Sequence, residues 1–214
     1  MKRHIYFLLF TVSILFSTTS NSQDEIRKYC GTTEVMQEAL KNPEKQQILD
    51  QLEIFTQEFV SNIDAQRTSG PYIIPVVIHV VHNFGIENIS YDQIDNGILR
   101  INEDFNGQND DISAVIDSFT NIIGFPNIEF RLATRDPDGN CTYGVTRTAS
   151  DLTISGSAGK LQNLISWDDK KYVNIWVVRS FEDGSSAAAF AFKPGSGPNM
   201  DGIFCLYNYF GDWN

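Results

Sequence analysis

Residues 74–83 read IPVVIHVVHN. The run from Ile73 to Val81 is apolar and β-branched almost without interruption, which predicts a strand buried on both faces. Pro75 suits the first residues of such a strand better than its middle. Two histidines interrupt the run, and the only other one in the chain is His4. Side chains three apart on a strand point to opposite faces, so His79 and His82 do not chelate one ion. The pattern predicts a packed, hydrogen-bonded His79 inside the sheet and His82 at the strand's end.

Working outward, Ser90 and Gln93 form a capping-box pair. Ile94, Ile98, Ile101 and Phe105 follow at helical spacing, predicting an amphipathic helix over Ser90–Phe105. Further strands are expected at Asn127–Ala133, Tyr172–Val178, Ala187–Phe192 and Gly202–Tyr207. Strand, helix and more strands make an α+β domain: a twisted mixed sheet of about five strands with a helix packed on it. Upstream, Ile48, Leu52, Phe55, Phe59 and Ile63 lie on one stripe of a second helix. Pro43 separates that helix from a shorter one at Glu34–Leu40. Between this helical region and the first strand, AQRTSGP (Ala65–Pro71) has the composition of an exposed linker.

The first residues carry an address. Lys2, Arg3 and His4 precede the uncharged stretch Ile5–Phe16, and small polar residues follow from Ser17 to Ser22. That order predicts a secretory signal peptide over residues 1–22, too short in its apolar part to span a bilayer. The chain is therefore expected outside the cell, with no membrane partner after cleavage. The 214-residue chain holds 16 basic and 27 acidic residues. Removing residues 1–22 takes away two bases and no acid, leaving 14 against 27, a net charge of −13. So acidic a chain argues against a nucleic-acid partner. Three cysteines, Cys30, Cys141 and Cys205, leave at least one unpaired within the chain, and their spacing excludes a C-x-x-C pair.

Several chemical motifs fail at decisive positions. DPDGNC (Asp136–Cys141) opens like a calcium loop but places Cys141 where glycine is required, and so predicts a tight turn. Gly159-Lys160 lacks the rest of a phosphate loop, and no G-x-S-x-G elbow surrounds Ser157, Ser185 or Ser196. Asp168 and Asp169 are adjacent, diverge, and are expected to cap the turn before YVNIWVV rather than act as an acid–base pair.

IPVVIHVVHN, ISYDQIDNGILRINEDFNGQNDD, IEFRLATRDPDGNCTYGVTR, SWDDKKYVNIWVV and AFAFKPGSGPNMDGIFCLYNYFG occur in that order over residues 71–211. As an ordered set they resemble the pappalysin/cytophagalysin family of metzincin zinc peptidases. The resemblance implies a zincin-like upper subdomain and peptide-bond hydrolysis by a metal-activated water. It also implies zinc as the cofactor of the intact protein and an extended peptide or protein as substrate. The family's H-E-x-x-H-x-x-G-x-x-H helix would follow the segment resembling DGIFCLYNYFG, yet no H-E-x-x-H occurs in this sequence. No catalytic or metal-ligating residue is therefore assigned here, and no cofactor is expected for the chain as it stands. The reading is a secreted metalloendopeptidase precursor recorded as a truncated chain; the alternative is an inactive, secreted peptide-binding module.

The resemblance also implies an organisation: signal peptide 1–22, helical prosegment 23–70, and the upper half of a catalytic domain over 71–214. RKYCGT (Arg27–Thr32) is similar to prosegment motifs in which a thiolate occupies the open position of the zinc, making Cys30 the expected switch. An unpaired cysteine near a mobile end is the plain alternative. Cys141 and Cys205 are then left as a candidate disulfide, provided their Cα atoms approach within about 7 Å. Ala188, Ala189, Phe190, Ala191 and Phe192 match the family's cleft-edge strand, where a substrate would add as a further strand. A plain edge strand guarded by Lys193 and Pro194 is the structural alternative.

Overall fold

A computed structural model describes residues 29–62, 70–182, 186–193 and 201–211. The expected leader, Ile63, most of the AQRTSGP stretch and Pro194 lie outside the described residues. The central strand is β2 (Tyr72–His82), and from Val76 to His82 every residue is buried. Its neighbours are parallel: β3 (Ile128–Leu132) and β4 (Val145–Ala149) follow one another along one edge, and β5 (Val173–Val178) lies along the other. Beyond β5 come β7 (Gly202–Leu206), parallel, and β6 (Ala187–Phe192), antiparallel to β7. The short β1 (Tyr29–Cys30) closes this side by pairing in parallel with β6. The sheet is mixed, as expected, and among the described residues it has seven strands rather than about five. The two extra ones are β1, only two residues long, and β4, whose sequence VTRTA carries no clear alternation of apolar and polar residues.

Helix α3 (Tyr91–Phe105) covers one face. Ser90 caps its N-terminus, Oγ accepting from Gln93 N at 3.1 Å. The Gln93 side chain donates to the Tyr207 and Phe210 carbonyls and so ties the helix to the residues after β7. Ile94 and Ile98 pack with Val76, Ile78 and Val80 of β2 and with Ile175, Val177 and Cys205. Gly97 allows the Phe210 ring against the helix, because a Cβ there would come within 2.7 Å of it. The predicted stripe weakens toward its end: Phe105 is 42% exposed and meets Phe130 edge-on. Asparagines do the remaining fastening. Asn102 donates to the Phe130 carbonyl and accepts from Phe130 N, and Asn106 donates to the Ile128 carbonyl.

The other face holds Val81, Trp176, Val178, Phe204 and Leu206, against which Leu161 of α6 (Ala158–Leu164) and Leu152 of α5 (Leu152–Ser155) pack. A fourth short helix, α4 (Asp117–Thr120), lies in the connection to β3. Upstream, α1 (Thr32–Ala39) rests on β6, and α2 (Pro43–Ser61) starts at an Asn42 cap whose side chain accepts from Glu44 N. No residue of α2 is buried. Of its predicted stripe, Ile48 and Leu52 are half-buried and Phe55 and Phe59 exposed.

Candidate functional site

The two histidines take the places predicted for them. His79 is fully buried, opposite Thr146 and Trp176 in register and within hydrogen-bond distance of the Thr146 and Asn174 side chains. Asn174 Nδ2 donates to the Trp167 carbonyl, which fixes the amide so that its Oδ1 faces His79 Nε2 at 2.8 Å. The Nε2–H therefore donates to Asn174, and Nδ1 accepts from the Thr146 hydroxyl at 2.7 Å. Burial holds the imidazole pKa down to about 4, so the ring is neutral. His82 lies on the opposite face at the strand's end, where its Nδ1 accepts weakly from Phe84 N.

From His79 a row of side chains crosses the sheet in register. Trp176 stacks on Phe204 with centroids 4.6 Å apart, and Phe204 on Phe190 at 4.9 Å. This row braces β6 from behind. The candidate residues Ala188–Phe192 all lie on β6, half-buried. The outer edge of β6 is occupied by β1, with Tyr29 opposite Ala187 and Cys30 opposite Ala189. Gly31 N donates to the Ala189 carbonyl at 2.7 Å, and Ala191 N donates to Thr32 Oγ1 at 2.9 Å. Only glycine permits this approach at position 31, since a Cβ would fall 2.8 Å from that of Ala187. Beside this contact a cavity of about 590 Å³ opens, walled by Val35, Phe181, Phe190 and Phe192 with Glu34 and Glu182.

Cys30 thus stands at the edge of the strand read as substrate-binding. Its Sγ is exposed, 3.3 Å from Thr32 Oγ1, and hydrogen bonds from the Thr32 hydroxyl and amide lower its pKa. The candidate partners of a disulfide are both free thiols. Cys141 is exposed in the bridge opposite Arg135, whereas Cys205 is buried under α3, where burial pushes its pKa up to about 12. Asp168 caps the turn into β5 as read, its carboxylate accepting from Lys170 N. Asp136 closes its own tight turn by accepting from Asp138 N and Asn140 N. A catalytic metal is not accommodated by what is here: among the described residues no three His, Cys, Asp or Glu side chains gather where they could hold an ion. Sequence reasoning missed β1 as a strand and missed the Thr32 contact. The available signal was the small residue Gly31 beside a hydroxyl side chain.

No protein-family model matches the chain, and no curated protein does. Solved structures do. Mature mirolysin of Tannerella forsythia in complex with a cleaved peptide is 38% identical, with a TM-score of 0.60 over 67% of this chain and 56% of that one. Mirolysin in complex with compound 9 is 39% identical, with a TM-score of 0.59 over 67% and 55%. A promirolysin mutant from Tannerella forsythia is 34% identical, with a TM-score of 0.66 over 86% of this chain and 61% of that one. The structural neighbours are a metallopeptidase and its precursor. The chain spans between 55% and 61% of the mirolysin structures it matches. The promirolysin match takes in about a fifth more of this chain than the mature mirolysin matches do, 86% against 67%.

Proposed function

We propose that this chain is the N-terminal part of a secreted zinc metalloendopeptidase precursor. Residues 1–22 are its leader, 23–70 its prosegment and 71–214 the upper half of its catalytic domain. The observation that carries the reading is β1 lying on the outer edge of β6. An extended peptide that adds to a sheet edge uses the edge strand's free N–H and C=O groups. Here Ala189 O and Ala191 N are already engaged by Gly31 and Thr32. A prosegment in that position denies the edge to a substrate and holds the Cys30 thiol beside it. The likeness to both mirolysin with a cleaved peptide and promirolysin supports this pairing of roles.

Zinc, when bound by the whole protein, would supply a Lewis acid and an activated water. The described residues supply none of its ligands as a set, so their part is different. β6 aligns an extended peptide, the Trp176–Phe204–Phe190 stack keeps that strand flat, and Thr32 and Gly31 cover it until the prosegment leaves. In the whole precursor, Cys30→Ala and Thr32→Ala should each raise peptide hydrolysis by the uncut protein. Latency unchanged in both variants would remove the prosegment reading.

A further inference from the structure

Helix α1 meets β6 through small residues. Gly31, Val35 and Ala39 recur at intervals of four, and Val35 N donates to the Gly31 carbonyl, so the three share one face. Gly31 shows where that face points: a Cβ there would lie 2.8 Å from the Ala187 Cβ and 3.6 Å from the Phe190 Cβ. Gly31 and Ala39 are buried and Val35 is half-buried. The sheet answers with large rings. Phe190 lies 4.9 Å from Phe181 and 6.1 Å from Phe192, centroid to centroid, on the face away from α3. These rings and Val35 wall the cavity of about 590 Å³, which the small face of α1 leaves unfilled. Close-packed protein seldom leaves voids larger than a water molecule. Sites for small molecules run to roughly 300–1,000 Å³ and are walled mainly by apolar and aromatic side chains. This cavity has their size and their walls. Its charge narrows the occupant: among the described residues no lysine, arginine or histidine lines it, and the charged residues that do are Glu34 and Glu182. An anionic head group would find no cation there.

We propose that this cavity binds a neutral, apolar small molecule, and that the bound molecule fastens α1 and β1 to β6. The wall is composite: Gly31, Glu34 and Val35 come from the α1 side, and Phe181, Phe190 and Phe192 from the sheet side. The site is whole only while α1 lies on β6. A molecule that fills it therefore opposes the departure of α1 by the factor 1 + [L]/Kd. Where residues 23–70 act as a prosegment, such a molecule prolongs latency; that consequence rests on the prosegment reading, and the site itself does not.

The probe is N-phenylnaphthylamine, a neutral aromatic molecule that fluoresces in apolar surroundings. The host is the full chain carrying Phe55→Ser and Phe59→Ser, which removes the exposed rings of α2. One saturable site is expected. The sulfonated analogue of the probe keeps its rings and adds a negative charge, and should bind about tenfold more weakly or worse. Val35→Trp occupies part of the cavity and Val35→Glu charges it, so each should weaken the probe about tenfold or more. Val35 lies outside the sheet core, and retained amide protection over Val76–Val81 checks that both variants keep the fold. With the probe at about a hundred times its Kd, exchange at Gly31 and Ala191 should slow about a hundredfold. Fluorescence that both Val35 variants leave intact would assign the probe to exposed apolar residues, such as those around α4, and overturn the proposal. So would the absence of a saturable site, equal affinity for the sulfonated analogue, or exchange at Gly31 and Ala191 indifferent to saturating probe. None of these readouts depends on latency, which Cys30→Ala and Thr32→Ala test separately.

Discussion

His79 shows how a single buried side chain sets the pH range of a fold. Its pKa is held at about 4 in the sheet, against 6.5 for a free imidazole. Between these values the unfolded chain binds a proton that the folded chain refuses, so stability rises with pH across the window. It should be complete above about pH 6.5 and fall as pH drops toward 4, by roughly 3 kcal/mol in all. Urea unfolding of the parent chain and of His79→Gln at pH 7.5, 6.0 and 5.0 checks this. The variant should start about 1–3 kcal/mol less stable, from its disturbed hydrogen bonds, and should lose much less between pH 7.5 and 5.0. Equal losses in both would show that His79 is not the titrating group. The role of His79 was legible in IPVVIHVVHN, because a strand's period of two separates it from His82. Its partners were not legible. Thr146 and Asn174 lie 67 and 95 residues downstream, and only the register of β4 and β5 on β2 brings them in.

At the scale of elements, long apolar or strictly periodic segments announced themselves, and short ones did not. β2, α3, β5, β6 and β7 all follow from runs whose burial pattern matches their spacing. β4 was hidden because VTRTA is half-buried from Val145 to Thr148 and exposed at Ala149, offering neither alternation nor a continuous apolar run. β1 was hidden for a different reason: two residues form a strand there only because β6 provides the other half of every hydrogen bond. That dependence is testable. Gly31→Val places a branched side chain where even a Cβ would meet Ala187 at 2.8 Å. The variant should lose amide protection at Gly31 and Ala191 in hydrogen exchange, while Val76–Val81 keep theirs. Protection retained at Ala191 would mean that Thr32 Oγ1 is not what holds its N–H. The preceding region offers a second check. α2 buries no residue, and the sequence after it, AQRTSGP, has a linker's composition with Arg67 in its middle. Brief trypsin digestion of the chain should cut first at Arg67, releasing α1 and α2 from a core that begins before β2. First cuts within Tyr91–Val178 would place the boundary elsewhere.

At the scale of the molecule, the distribution of apolar surface makes its own demand. The sheet interior is well filled: Trp176, Phe204, Ile78, Ile94 and Leu161 are among the largest side chains with almost no exposure. Outside it, among the large apolar side chains that remain in solvent, two groups stand close together along the chain. Ile54, Phe55, Phe59 and Val60 lie on α2, and Ile116, Phe119, Ile122 and Phe125 lie in and around α4, each at least 42% exposed. Soluble monomers seldom leave contiguous apolar patches of more than a few hundred Å² uncovered. Burial is worth about 25 cal/mol per Å², so covering even part of these groups is favourable by several kcal/mol before the cost of association. The 214-residue chain on its own should therefore bind a hydrophobic dye and self-associate as its concentration rises. Phe55→Ser with Phe59→Ser on α2 should reduce both effects without lowering the melting temperature of the core, because neither ring contributes to it. Sedimentation of the parent and the double variant over a hundredfold range of concentration, about as wide as a weak association needs, separates the outcomes. A parent chain that stays monomeric and dye-silent throughout would show these faces to be covered within the chain itself. A double variant that melts lower would show that α2 packs on the core after all.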